Sequence, residues 1–259
     1  MVNINKDQKV LIWDIESLPA QAYIFDIYQG TNVDWIIKDT SIVTIAYRFV
    51  GEEKAKVMSV MDFPKTFKKD VYDDSELLKA FSKIMNEADF TVAHYGDKFD
   101  MRLFNARVLR AGLEPVAPTK QIDTWKLAKR HFKLQSNKLD HLGHVLGIGK
   151  KIQTSKGLWI RCAQGERDAI EEMATYNRQD VDLLHDVFLK LIPYVKTTLN
   201  RSLGETGICC SKCGSHNLQK RGTTISLTKK YQRYQCKDCG GWSSDKTSTP
   251  NLVTTTKQV

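Results

Sequence analysis

The sequence predicts a mixed α/β domain over residues 1–200, followed by a small basic module that carries most of the cysteines. Three observations predict it. Strand-like apolar runs are concentrated before residue 100, helical apolar spacing takes over between 123 and 191, and five of the six cysteines fall between Cys209 and Cys239. With 259 residues, 41% of them apolar, the chain has ordinary globular composition and length enough for a full core, which excludes a disordered or collagen-like body. No stretch reaches the roughly 18 uninterrupted apolar residues of a membrane span. The N-terminus lacks an apolar secretory segment, so a cytoplasmic location and reduced thiols are expected.

The elements follow in order. Lys9 to Glu16 (KVLIWDIE) is almost continuously apolar until its end, as a central strand covered on both faces requires. Ser41–Val50 and Lys54–Val60 flank Gly51-Glu52-Glu53 and read as a hairpin beside it. Asp73 and Glu76 have capping-box spacing and open a helix to about Glu87; Asp89–His94 is a short strand; a helix runs from about Asp100 to Ala111 and stops at Gly112. After Pro118 the strand signals cease. Segments 123–131, 139–146 and 168–191 carry helical spacing, the last either as one helix or as two meeting near Ala174. Residues 201–208 read as a linker, 209–242 as the small module, and 243–259, rich in Thr and Ser, as a disordered tail.

Charge divides with the same boundary. Residues 1–200 hold 29 Lys and Arg against 27 Asp and Glu, and residues 201–259 hold 10 against 3, so +7 of the net +9 lies in the shorter part. A near-neutral body with a basic appendage suits a polyanionic partner.

Asp14 and Glu16 are two apart on a strand, so both leave the face that also carries Val10 and Ile12, at the C-terminal edge where α/β sheets place their sites. Carboxylates held that close call for a proton or cation between them. On the last helix Asp180 shares a stripe with Met173, Tyr176, Leu184, Val187 and Leu191, where a lone carboxylate is costly unless paired or ligating. Asp182 and Asp186 point away and are expected to be solvated. Asp100 stands at a helix start and is either an N-cap or a ligand. Asp14, Glu16, Asp100 and Asp180 could converge as four acidic ligands with Tyr176 alongside. An all-oxygen set selects Mg²⁺ or Mn²⁺, and two such ions about 4 Å apart suit phosphodiester hydrolysis.

These residues carry a resemblance. DIE (Asp14–Glu16), AHYGDKFD (Ala93–Asp100) and YNRQD (Tyr176–Asp180) resemble, in order, the three motifs of the 3′ to 5′ exonucleases of the ribonuclease H-like (DnaQ-like) superfamily whose four acidic residues are accompanied by a tyrosine, the DEDDy type. Residues 46–51, IDTWKLAK (122–129), SNKLDHLG (136–143) and Leu158-Trp159 are similar to phage and bacterial exonucleases related to the proofreading domain of family-B polymerases, and the likeness covers about residues 9–200. The resemblance implies a ribonuclease H-like mixed β-sheet flanked by helices and metal-dependent exonuclease activity. Asp14, Glu16 and Asp180 would surround one ion. Asp14 would also touch a second, on which Asp100 acts largely through water, and Tyr176 would orient the attacking water. Ser17 would meet the terminal 3′-hydroxyl through its backbone, and Leu18 either presses on the last base or is core. Tyr95 departs from the family's usual Asn, supplying a hydroxyl and a stacking face in place of an amide.

CSKC (Cys210–Cys213) and CKDC (Cys236–Cys239) are two C-x₂-C pairs with residues 214–235 between them, the pattern of a four-thiolate Zn²⁺ site on two knuckles, and the module resembles a zinc ribbon. Cys209 gives the irregular spacing and is set aside. Lys229, Lys230, Arg233 and Lys237 interleave with Tyr231, Tyr234 and Trp242, offering cations to phosphates and rings to bases. Lys150 and Lys151 either touch a backbone phosphate or are solvated, and His141 and His144 read as ordinary helix residues. The expectation is a 3′ to 5′ exonuclease that prefers DNA, uses two Mg²⁺ or Mn²⁺ and one structural Zn²⁺, and serves a separate polymerase or other replication protein. An exoribonuclease and a catalytically silent nucleic-acid-binding protein are the alternatives.

Overall fold

The computed structural model describes residues 8–25, 33, 35–196, 199–202, 205–226 and 229–245. The chain divides into two compact units, Gln8–Leu191 and a second that contains the residues from Ile192 onward.

The strands of the larger unit are β1 (Val10–Leu18), β2 (Gln21–Tyr23), β3 (Trp35–Lys38), β4 (Ser41–Phe49), β5 (Lys56–Ser59), β6 (Phe90–Ala93) and β7 (Lys120–Asp123). Its helices are α1 (Pro64–Phe67), α2 (Ser75–Asn86), α3 (Asp100–Arg110), α4 (Thr124–His131), α5 (Leu139–Val145), α6 (Leu158–Ala163) and α7 (Arg167–Leu191). Five strands form one mixed sheet in the order β5-β4-β1-β6-β7, with β1-β4 and β4-β5 antiparallel and β1-β6 and β6-β7 parallel. Helices cover this sheet, and the architecture is ribonuclease H-like. β2 and β3 form a separate two-stranded ribbon.

The alternation of β1 divides the unit. Leu11, Trp13 and Ile15 point into the main core, where Trp13, Phe81 of α2 and Phe104 of α3 meet at centroid distances of 5.7–6.0 Å. Val10, Ile12, Asp14 and Glu16 leave the other face, and Asp14 meets α7 there. Register with β4 shifts between Glu16 and Ser17, a β-bulge placed immediately after the second carboxylate.

Several local expectations are settled or corrected. Residues 167–191 form one unbroken helix. The 73–76 capping box does not form: Asp73 accepts the N–H and hydroxyl of Ser75, while buried Asp74 ties the Ile42 N–H to the Arg107 guanidinium. β7 lies beyond the point where strand signals end. Its KQID sequence has no apolar run, but the parallel ladder on β6 satisfies its backbone. α6 and the β2-β3 ribbon also lacked a readable signal. Asp182 is not simply solvated, since its Oδ1 accepts from Arg48 Nη1 at 2.7 Å and from the Ala55 N–H at 2.9 Å, holding α7 to the hairpin.

In the second unit, β8 (Leu218–Ile225), β9 (Lys230–Cys236) and β10 (Trp242–Ser244) form an antiparallel sheet in the order β10-β9-β8. β10 takes Ser243 and Ser244 out of the tail expected to be disordered, and residues 246–259 of that tail lie outside the described residues. Arg201, the first residue of the expected linker, is buried and donates its N–H to Ser211 O.

Candidate active site

The acidic residues are delivered by rigid elements. β1 brings Asp14 and Glu16, and α7 brings Asp180. Their carboxylate oxygens lie within 4.8 Å of one another. Asp100 sits at the first turn of α3, 3% exposed, with its Oδ1 accepting the Ile15 N–H at 3.3 Å; it stands next to the trio and outside it.

The electrostatics are those of an over-charged pocket. Burial, then the negative charges of Asp100, Glu16 and Asp180, raise the carboxyl of Asp14 well above the usual range. Burial and then Asp180 push Glu16 up to about 7, and burial pushes Asp100 up to about 6. Asp180 is also raised by burial, against the pull of Lys151. Its Oδ1 is buried with no hydrogen-bond partner among the described residues, an acceptor that a bound cation would satisfy. Three carboxylates, all-oxygen donors and an unpartnered oxygen fit a hard divalent ion, consistent with metal-dependent nuclease chemistry.

Tyr176 lies one turn before Asp180, its ring edge-on to Trp159 at 6.2 Å. Burial, then Asp180, push its hydroxyl up to about 12, so it stays protonated and acts as a hydrogen-bonding group. Lys151, left open between phosphate contact and solvation, reaches into the cluster. Its Nζ donates to Asp180 Oδ2 at 2.5 Å and to the Tyr176 hydroxyl at 3.2 Å, while its own N–H is held by Asp140 Oδ1 at 2.9 Å.

Two partners escaped the sequence reading. Asn177, fully buried, donates from Nδ2 to Asp14 Oδ2 at 2.8 Å and accepts the Thr44 hydroxyl at 3.0 Å, joining α7, β1 and β4. The signal was present: a polar residue three before Asp180, on the stripe of Ile170, Met173 and Leu184. Trp159 donates its indole N–H to Glu16 Oε2 at 3.3 Å.

The remaining predicted residues divide. Ser17 is half-buried on β1 just past the bulge. Leu18 is 0% exposed within the main core, so of its two readings packing holds, and it offers no face to a base. Tyr95 is exposed in the β6-α3 loop.

In the second unit the Sγ atoms of Cys210, Cys213, Cys236 and Cys239 also lie within 4.8 Å of one another, and Cys209 is outside the group. The Cys210–Cys239 and Cys213–Cys236 pairs are each 3.7 Å apart. That is far beyond a disulfide and close to the edge, about 3.8 Å, of a tetrahedron with 2.3 Å metal–sulfur bonds. Backbone N–H groups of Lys212 and Gly241 point at Cys210 and Cys239 sulfurs at 3.4 Å, completing two knuckles. A Cβ on Gly241 would come within 2.9 Å of the Lys212 side chain and 3.2 Å of Cys239 Sγ, which explains glycine there. Lys229, Lys230 and Arg233 are exposed around the β8-β9 hairpin, and the Arg233 guanidinium lies 4.9 Å over the Trp242 ring. Tyr234, expected among the rings available to bases, is buried.

No helix among the described residues is long and apolar enough to cross a membrane. A family model of the RNase_H superfamily matches residues 37–192, more than half of the chain. No curated protein matches it.

Proposed function

The chain belongs to the RNase_H superfamily, and from that premise we propose that it is a metal-dependent 3′ to 5′ exonuclease acting on DNA. The observation that carries the reading is the convergence of Asp14, Glu16 and Asp180 within 4.8 Å, with Tyr176 and Asp100 beside them. Asp14, Glu16 and Asp180, with Asp100 adjacent, would hold Mg²⁺ or Mn²⁺, which when bound activates water and stabilises the leaving oxygen of a phosphodiester. The protein's own groups do the rest. Asn177 and Trp159 orient the carboxylates of Asp14 and Glu16. The un-ionised Tyr176 hydroxyl positions a water, and the Lys151 ammonium faces the charge of the scissile phosphate. Ser17, beside the bulge, offers its backbone to the terminal 3′-hydroxyl.

The four-cysteine group takes Zn²⁺, which folds the second unit, and Lys229, Lys230 and Arg233 hold the nucleic-acid backbone. A separate polymerase or other replication protein in the cytoplasm is the partner this activity would serve.

Digestion of 5′-labelled DNA and RNA oligonucleotides, with and without Mg²⁺ or Mn²⁺, tests the reading. Progressive shortening from the 3′ end, with release of nucleoside 5′-monophosphates, is expected. A 3′-phosphate should slow the first cut at least about tenfold, the scale of one misfitted terminal contact. Preferred digestion of RNA would make it an exoribonuclease. Efficient cutting of circular single-stranded DNA would overturn end recognition, and absence of metal-dependent turnover on any substrate would overturn the nuclease.

A further inference from the structure

With Leu18 enclosed in the core, the terminal base needs another surface, and one is built beside Asp100. Tyr95 has φ 65°, the only non-glycine among the described residues in the left-handed region, where a bulky side chain is strained. Its backbone is over-determined. The Tyr95 N–H is held by Asp123 Oδ1 at 3.0 Å and its carbonyl accepts the Lys98 N–H at 3.2 Å. The following Gly96 is buried so tightly that a Cβ would fall 2.3 Å from Ala93 Cβ and 2.6 Å from Gln121 Nε2. The ring is thereby turned outward, 38% exposed, in an edge-to-face pair with Trp125 at 5.1 Å and 74°.

Asp123, 4% exposed at the end of β7, sets both rings with one oxygen, since the Oδ1 that holds the Tyr95 N–H also accepts the Trp125 N–H at 2.9 Å. Each ring carries a cation over a face, Lys98 at 5.5 Å from the Tyr95 centroid and Lys129 at 4.8 Å from that of Trp125. The pair adjoins the carboxylates: the Cβ position at Gly96 is 3.3 Å from Asp100 Oδ2, and Gly96 O accepts the Met101 N–H at 3.0 Å. A packing role alone does not need a strained, outward-facing tyrosine where asparagine or glycine would hold the turn without strain.

We infer that Tyr95 and Trp125 form a stacking platform for an unpaired base of the substrate strand, with Lys98 and Lys129 swinging off the ring faces they cover in the free protein to meet its phosphates. This rests on the nuclease reading and adds a specificity to it. A base inside a duplex has both faces covered by its neighbours, so the platform selects frayed or single-stranded ends.

The test uses the full chain and a 12-nucleotide oligo(dT) carrying 2-aminopurine at its 3′ end, with EDTA present so that the strand is not cut. Wild type should quench the 2-aminopurine. Tyr95→Asn, which suits the left-handed backbone and removes only the ring, should leave the melting temperature unchanged or raised. It should weaken binding about 5- to 100-fold, the range of one lost base–aromatic stack, and Trp125→Ala should do the same. Trp125→Phe should restore binding to within about threefold. The preference for the single strand over a blunt duplex of the same sequence should shrink with Tyr95→Asn. An equal loss on oligo(U) supports the platform, because stacking reads the base and not the sugar. Unchanged affinity in both Tyr95→Asn and Trp125→Ala, or no quenching by wild type, would overturn it. Metal-dependent turnover by wild type, measured separately, shows whether the nuclease reading stands or falls with it.

Discussion

Replacing Glu16 with Gln should abolish turnover and yet make the metal-free protein more stable. Glu16 is partly exposed, but protein surrounds its carboxyl on most sides, and burial followed by the charge of Asp180 pushes it from 4.5 up to about 7. Between those pH values the folded chain holds a proton that the unfolded chain has lost. The folded state therefore binds more protons, and stability falls as pH rises through the window. Above pH 7 the full cost applies, about 3 kcal/mol at 1.36 kcal/mol per pH unit. Gln removes the charge and keeps an oxygen for the Trp159 indole N–H. At pH 8 in EDTA the Glu16→Gln protein should melt roughly 6–12 °C above wild type. At pH 4, where the carboxyl is protonated in the folded state and largely so in the unfolded one, the two should melt within about 1 °C of each other. Added Mn²⁺ should raise the wild-type melting temperature and leave the variant nearly unmoved. Calorimetry at the two pH values decides it: a variant that melts at or below wild type at pH 8 in EDTA refutes the claim that burial and the charge of Asp180 penalise the ionised Glu16 carboxyl in the folded protein.

Tyr176→Phe keeps the ring against Trp159 and deletes the hydroxyl, so turnover should drop roughly 10- to 1,000-fold with the melting temperature within about 2 °C of wild type; equal rates would return Tyr176 to a packing role. Asn177→Ala leaves Asp14 without its donor and the buried Thr44 hydroxyl without its acceptor, and denaturant melts should show a loss of about 1–3 kcal/mol, together with a higher Mg²⁺ requirement in the turnover assay. Elemental analysis of reduced protein should find one tightly held zinc per chain, unchanged in Cys209→Ser and lost in Cys213→Ser.

Short-range periodicity made much of this molecule readable. The D-x-E pair lands on one face because strand side chains alternate, Tyr176 and Asp180 share a face because helix neighbours are four apart, and the paired C-x₂-C spacings gather four thiols. Asp180 was legible as a carboxylate that a buried stripe does not tolerate alone. What the sequence left open was settled by contacts between distant segments. Leu18 is core because α-helices cover the strand that carries it, and Asp182 is bonded because the hairpin brings Arg48 and the Ala55 N–H to α7. Lys151 enters the cluster because Asp140 holds its backbone, and β7 exists because β6 offers a ladder. The pairing of Tyr95 with Trp125 depends on a single oxygen of Asp123, some thirty residues from one ring and two from the other. Periodicity tells which face of its own element a side chain leaves; only the folded chain decides what stands opposite that face, and there a carboxylate becomes a ligand, a cap or an ion-pair partner.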